Sequence, residues 1–338
     1  MPSRSSDSPL ARLRSAPVRS GAALLAWGAV VLGAAGIALH FSRSSWRWLV
    51  YAASVAPYLM CAGLVAALAF TVLRKRIGAA VAVVVTAVAV WTQLPLYLSD
   101  SGADGGPEVT VMQANLLFEG ADPHALVEAV HTRQVTILTV NELTPAALDD
   151  LTRAGLDRLL PHRYVSPGRT ATGTGIWSAY PLTDTVEYDG YVLNQLSATA
   201  TLPDAGAVTV YAFHPVPPIY GTEVWSDELA RLRAILDRAP ADRPAIAGGD
   251  FNATFDHFQF RALLSGRFHD AAEQSGAGHL VTYPTDKPYP PVIGIDHLLL
   301  ADARALAVET VSLPGADHRA LVARVRLADR SHLSWRRA

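Results

Sequence analysis

Three stretches near the front of the chain, residues 20–42, 48–73 and 77–99, carry no Asp, Glu, Lys or Arg. Each reaches the roughly 20 apolar residues a helix needs to cross about 30 Å of hydrocarbon, so the pattern predicts three transmembrane helices over residues 20–98. Beyond residue 108 the pattern changes to short runs of Val, Ile, Leu and Ala, several of which stop on an amide, a carboxylate or an imidazole. Such runs predict strands over 109–115, 135–140, 175–182, 196–202, 207–213, 245–248 and 295–300. Helical spacing of Leu126, Val127 and Val130 predicts a helix over 123–134, and Leu229, Leu232, Ile235 and Leu236 predict another over 226–239. Strands with interspersed helices argue an α+β domain.

With 338 residues the chain can hold one sizeable domain plus this apolar appendage. A cleaved signal peptide competes for the first apolar run, because residues 1–19 resemble a basic leader; the length of the run and the two that follow argue against it. Lys and Arg set the expected orientation. Arg4, Arg12, Arg14 and Arg19 precede the first run, and Arg74, Lys75 and Arg76 separate the second from the third. Only Arg43 and Arg47 lie between the first and second, and none occurs after the third until Arg133. The expectation is a cytoplasmic tail over 1–19 and a domain outside the cell. Residues 99–107, rich in Gly, Asp and Ser, read as a short linker, 108–328 as the domain and 329–338 as a tail. The single cysteine, Cys61, lies in the second apolar run, so an intramolecular disulfide is excluded.

From Pro107 to Ala338 there are 27 acidic against 19 basic residues, a net charge of −8. A protein whose main partner is a long polyanion usually presents the opposite sign, because counterion release supplies much of the affinity.

Six short patches carry the candidate chemistry: Gln113-Ala-Asn115, Asn141-Glu142, His214-Pro215, Gly249-Asp-Phe-Asn252, Ile295-Asp-His297 and Ala316-Asp-His318. Several follow an apolar run, which places them at strand ends. Glu142 offers an anionic hard oxygen suited to Mg²⁺ or Mn²⁺; a capping carboxylate for a helix starting at Thr144 is its plainer reading. Asn115 is a neutral amide able to orient Glu142 or the water around a cation, or simply a turn residue. Asp250 and Asn252 are expected to alternate along one strand end and share a side, Asp250 to orient or deprotonate water and Asn252 to donate to phosphoryl oxygens, with an Asx turn as the alternative. His318 titrates near neutrality and suits proton handling or phosphate contact. Arg169, in a Gly- and Thr-rich loop, is a candidate phosphate-binding residue or a solvated loop arginine. His124, His131, His162, His257, His269, His279 and His297 read as surface or supporting residues. No Cys/His cluster has the spacing of a zinc site.

The order of these patches over residues 108–328 resembles the endonuclease/exonuclease/phosphatase superfamily, the DNase I-like fold. A membrane-anchored actinomycete branch, which includes the teicoplanin-resistance accessory protein VanJ, is similar in joining hydrophobic helices to such a domain. The resemblance implies a four-layer α-β-β-α sandwich and metal-dependent phosphoester hydrolysis. It also implies that Asp317 lies near the metal, that Asp296 fixes the tautomer of His318, and that His214 contacts phosphate and protonates a leaving group. Gly294 departs from the family pattern, where arginine often precedes the Ile-Asp pair. Tethering and acidity together point to a lipid-linked phosphate or pyrophosphate of the cell envelope, undecaprenyl pyrophosphate-like, and to the membrane itself as partner. An extracellular nuclease acting on nucleic acid and a catalytically inactive membrane scaffold are the alternatives.

Overall fold

The computed structural model of the protein describes residues 16–99 and 105–328. The expected linker over 99–107 is therefore described only at its ends, and residues 1–15 and the tail over 329–338 lie outside the described residues. The chain divides into two compact units, one of residues up to 42 and 55–94, the other of residues 43–54 and from 95 onward.

Helices α1 (Ala16–His40), α2 (Arg47–Ala53), α3 (Ala56–Val72) and α4 (Arg76–Gln93) follow one another, and all but α2 belong to the first unit. Small residues let the helices of that unit approach closely: a Cβ on Gly36 would stand 2.8 Å from the Ala56 carbonyl oxygen. Leu24, Leu25, Val72 and Ile77 are 72–78 % exposed, so large apolar side chains form part of the outer surface of these helices. Helices α1 and α4 are long and apolar enough to cross a membrane, and α2 with α3, bent by 65°, would be a third such element if the pair counts as one span. The pattern predicts one continuous helix for the second apolar run. The run is instead interrupted after Ala53, and its first helical residues belong to the other unit.

The second unit is built on two six-stranded sheets. The first runs β11-β12-β1-β2-β4-β3, where β1 is Glu108–Asn115, β2 Ile137–Asn141, β3 His162–Ser166, β4 Thr174–Ser178, β11 Ala303–Ser312 and β12 Arg319–Leu327. The second runs β5-β6-β7-β8-β10-β9, where β5 is Leu182–Glu187, β6 Leu196–Leu202, β7 Gly206–Phe213, β8 Ala245–Asp250, β9 Phe268–Asp270 and β10 Asp296–Ala301. β1 with β2 and β7 with β8 are parallel; the remaining pairs are antiparallel. Val111, Ile137 and Val325 from the first sheet and Val210, Ile246 and Leu298 from the second fill the space between them.

Outside the first sheet, α5 (Pro123–Thr132) and α6 (Pro145–Ala154) cover Met112, Leu138 and Trp177; outside the second, Trp225, Leu229 and Leu232 cover Phe213, Phe251 and Leu299. Trp225, Leu229 and Leu232 lie on the helix Thr222–Leu236, four residues longer at its start and three shorter at its end than the pattern predicts. The result is the expected α+β sandwich of four layers, α-β-β-α. Because both faces of each sheet are covered, central strands such as β8 are buried at every residue and show no alternation.

The two sheets bring several strand ends to one edge. Asn115 at the end of β1 pairs with Asn141 at the end of β2, and Asp250 at the end of β8 pairs with Asp296 at the start of β10. Gly248 and Gly249 allow this convergence. A Cβ on Gly248 would come within 2.3 Å of Thr139 Oγ1 in the facing sheet, and one on Gly249 within 2.0 Å of the Phe213 carbonyl oxygen.

Candidate active site

The buried amides at this edge tie one sheet to the other. Gln113 Nε2 donates to Asn141 Oδ1 at 3.0 Å and to Asp296 Oδ1 at 3.1 Å. Asn141 Oδ1 also accepts from the Asp250 backbone N–H at 2.8 Å, while its Nδ2 donates to the Phe213 carbonyl at 3.1 Å. A buried amide left unpaired would cost a few kcal/mol, so this network fixes the relative position of the two sheets as well as the side chains on them.

Asn115 Nδ2 bridges two carboxylates, donating to Glu142 Oε1 at 3.2 Å and Asp250 Oδ2 at 3.1 Å. Its Oδ1 accepts from the Leu117 backbone N–H at 3.0 Å, so the amide orients both carboxylates from a fixed position. Glu142 follows β2 with φ +58°, a left-handed conformation that costs a non-glycine residue of order 1–3 kcal/mol. It does not cap the next helix: Thr144 Oγ1 does so, accepting from the Ala147 backbone N–H at 3.1 Å.

Asp250 lies at the centre. The Nε2 atoms of His214 and His318 stand 3.6 and 3.7 Å from its Oδ2. His318 Nδ1 is 2.8 Å from Asp296 Oδ2, and its Nε2 is 4.0 Å from Asp317 Oδ1. Tyr283 packs its ring against His318 with centroids 4.8 Å apart. Thr282 Oγ1 accepts from the backbone N–H groups of Ile295 and Asp296, seating the strand that carries Asp296.

Asn252 departs from the sequence expectation. β8 ends at Asp250, and Asn252 lies beyond it at φ +50°, so the strand's period of two does not aim its side chain. Its backbone N–H donates to Asp250 Oδ1 at 2.8 Å, an Asx turn, and its Nδ2 donates to the Pro215 carbonyl at 3.1 Å. Trp225 Nε1 in turn donates to the Asn252 carbonyl at 3.1 Å. Asn252 therefore joins the site through a turn that also orients Asp250.

His214 is held through its backbone by Gln195, whose Oε1 accepts from the His214 N–H at 2.7 Å and whose Nε2 donates to the His214 carbonyl at 2.6 Å. Nothing in the sequence singles out Gln195; a polar residue just before an apolar strand carries no spacing signal. Gln113 and Asn141 belong to the sequence patches without a role assigned there, and their role is the bracing described above. Arg169 is exposed on the loop before β4 and makes none of these contacts. Of the remaining histidines, His257 and His297 are buried rather than superficial: His257 Nε2 is 2.9 Å from the Val50 carbonyl, and His297 Nδ1 is 2.8 Å from Asp270 Oδ2. Gly294 cannot accept the family's arginine without movement, because a Cβ there would meet the Leu280 carbonyl oxygen at 2.2 Å.

The electrostatics separate the two histidines. Burial, aided by His318, pushes the pKa of His214 down to about 3, leaving it neutral. Burial would also lower that of His318, but Asp296, Asp250 and Asp317 outweigh it and hold the imidazolium to about 10. Burial raises Asp250 to about 7 against the pull of His318, with Asp296 and Glu142 adding to the rise. Burial likewise raises Glu142, with Asp317 adding to it, and raises Asp317 itself.

Crowded carboxylates with raised pKa values fit a divalent cation, and two buried carboxylate oxygens here, Glu142 Oε2 and Asp317 Oδ1, have no hydrogen-bond partner among the described residues. Asp250, Asp296 and His318 also bring ligand atoms within 4.8 Å of one another, although Asp296 and His318 already bond each other there. Glu142 Oε2 and Asp317 Oδ1 are thus the carboxylate oxygens that accept no hydrogen bond, Asp317 Oδ1 lying 4.0 Å from His318 Nε2, and Asn115 orients Glu142.

Comparison with known proteins identifies this arrangement. D. rerio TDP2 complexed with single strand DNA product is similar with a TM-score of 0.54 and 14 % identity, over 65 % of this chain and 99 % of that one. An endonuclease/exonuclease/phosphatase from Beutenbergia cavernae gives 0.52 and 18 %, over 65 % and 72 % of the two chains. One from Bacteroides vulgatus gives 0.53 and 16 %, over 65 % and 99 %. At such identities these likenesses establish the fold alone. No curated protein matches the sequence. The family model described as Endonuclease/Exonuclease/phosphatase family matches residues 112–318, from the strand bearing Gln113 and Asn115 through His318, and the chain belongs to that family of phosphoester hydrolases, typically metal-dependent.

Proposed function

We propose that the protein is a membrane-anchored, Mg²⁺- or Mn²⁺-dependent phosphoesterase acting on a lipid-linked phosphate or pyrophosphate at the outer face of the membrane. The observation that carries the catalytic part is the convergence of His214 and His318 on Asp250 beside the unpartnered oxygens of Glu142 and Asp317. A divalent cation held by Glu142 and Asp317 would offset charge on the phosphoryl oxygens. Asp250, with a pKa of about 7, orients water and takes its proton in its ionised form. His318, kept protonated by Asp296, donates to a phosphoryl oxygen and gives that proton to the departing oxygen as its bond to phosphorus breaks and the water oxygen's bond forms; His214, neutral and facing the same carboxylate from the other side, is not the acid that the sequence suggests. Asn252 holds the turn that aims Asp250, and Arg169 stands on an exposed loop as a candidate contact for the rest of the substrate.

The choice of substrate rests on the apolar helices and the −8 charge of the domain. Helices α1 and α4, and α2 with α3 if that bent pair is one span, support two or three crossings by length and composition. A VanJ-like role in the cell envelope agrees with this arrangement. The nuclease reading draws its support from the TDP2 structure, which holds a single-stranded DNA product. The full-length protein in lipid nanodiscs should release phosphate from a polyprenyl pyrophosphate with added Mg²⁺ or Mn²⁺. Efficient nicking of plasmid DNA with no action on any lipid phosphate would replace this reading by the nuclease one.

A further inference from the structure

Residues 43–54 connect two apolar helices, α1 and α3, and twelve residues span at most about 43 Å when fully extended. If those helices cross a bilayer, this segment is confined to its surface. It is also built into the catalytic unit. Val50 is 2 % exposed among the residues that surround Trp225, and its carbonyl meets His257 Nε2 at 2.9 Å. Gln259 Nε2 donates to the Ser44 carbonyl at 3.4 Å, and the Arg43 guanidinium lies over the Phe258 ring at 4.6 Å.

The same segment borders an open groove whose other wall is the stretch 218–224. Tyr51 Oη donates to the Pro218 carbonyl at 3.5 Å across it. Large apolar side chains are exposed on this face: Ile219 is 81 % exposed, Tyr220 63 %, Trp46 60 % and Trp48 55 %, the last with the Arg47 guanidinium 4.7 Å over its ring. Arg43 and Arg47 are exposed beside them. Two tryptophans and a tyrosine flanked by arginines match the composition of side chains that settle at the boundary between headgroups and acyl chains. The stretch that walls the groove begins three residues after Pro215, which follows His214 and whose carbonyl receives the Asn252 side chain.

We infer that this face seats in the bilayer interface: Trp46, Trp48, Ile219 and Tyr220 enter the headgroup region, and the groove takes the chain of a membrane lipid whose phosphate lies toward His214 and Asn252. The inference rests on the membrane-anchored reading of the helices, and its test does not depend on catalysis. Three proteins, Ile219→Cys, Val72→Cys and Asp204→Cys, each in a Cys61→Ser background, would be spin-labelled. The labelled full-length proteins would be studied in nanodiscs of phosphatidylcholine and phosphatidylglycerol. Val72 reports the helices, and Asp204 lies exposed in the turn between β6 and β7. Oxygen, which concentrates in lipid, should relax the label at 219 several-fold more strongly, relative to a water-soluble nickel chelate, than the label at 204. Equal behaviour at 219 and 204, with lipid exposure at 72, would overturn the docking while leaving the anchor and the phosphoesterase reading in place. Aqueous behaviour at all three would overturn the anchor and the docking together. Adding Tyr220→Asp to the Ile219→Cys protein should abolish the lipid signature at 219; its retention would also count against the proposal.

Discussion

Two histidine–aspartate pairs lie on neighbouring positions of one strand and do different things. Asp296 bonds His318, whose other nitrogen looks toward Asp250 and Asp317. His297, one residue on, faces the opposite side and bonds Asp270, while its other nitrogen meets the Ala253 carbonyl at 2.9 Å and its ring lies 3.8 Å from that of Phe260. Both pairs are buried. The difference is what the second nitrogen meets: a satisfied carbonyl makes a structural pair, whereas unneutralised carboxylates make one that can hold and donate a proton.

Substitution should separate the pairs most sharply. His318→Ala, Asp250→Ala and Glu142→Ala are each expected to lower the turnover of the folded fraction about 10²-fold or more, as read by steady-state kinetics with urea denaturation reporting how much of each variant is folded. His297→Ala should instead lower stability by about 3 kcal/mol, because Asp270 loses its buried partner, and leave the turnover of the folded fraction near normal. The reverse pattern would exchange the roles of the two pairs.

The pH dependence of metal binding sharpens the comparison further. The carboxyls of Glu142 and Asp317 are both raised by burial, so protons compete with a cation at the site. Apparent Mg²⁺ or Mn²⁺ affinity should fall as the pH drops through these raised pKa values, by about tenfold per pH unit for each proton displaced, and level off above them. Calorimetric titration at several pH values would measure this; affinity independent of pH would remove these carboxylates from the metal site.

Much of this is legible in the sequence because strand ends leave a local signature. An apolar run stopping on Asn115, Glu142, His214 or Asp250 identifies a side chain aimed from a rigid element, and the order of the patches supplies the family. What escapes is set by distant parts of the chain. Gln195 acts only because β6 and β7 lie side by side, and no spacing along the chain announces that. The apolar pattern puts Asn252 on the strand, but the chain turns left-handed after Asp250. The break after Ala53 is hidden because an apolar residue suits both a membrane helix and a protein core, as Val50 does.

Gln195 and Gly294 give smaller tests. Gln195→Ala should reduce turnover by roughly 10-fold to 10²-fold by releasing the His214 backbone, with a smaller effect on the binding of the metal. Gly294→Arg, the residue the family often carries there, should cost about 1–3 kcal/mol through the Leu280 carbonyl, read by thermal or urea unfolding.

The central claim is that this site hydrolyses phosphoesters through a cation held by its carboxylates. The most direct measurement is phosphate release by the full-length protein in nanodiscs after exhaustive chelation and again after Mg²⁺ or Mn²⁺ is restored, for the unaltered protein and for Glu142→Gln. The account predicts activity that disappears on chelation, returns with the cation, and fails to return in the variant at the same cation concentration. Full activity in the chelated protein, or full recovery in Glu142→Gln, would contradict it.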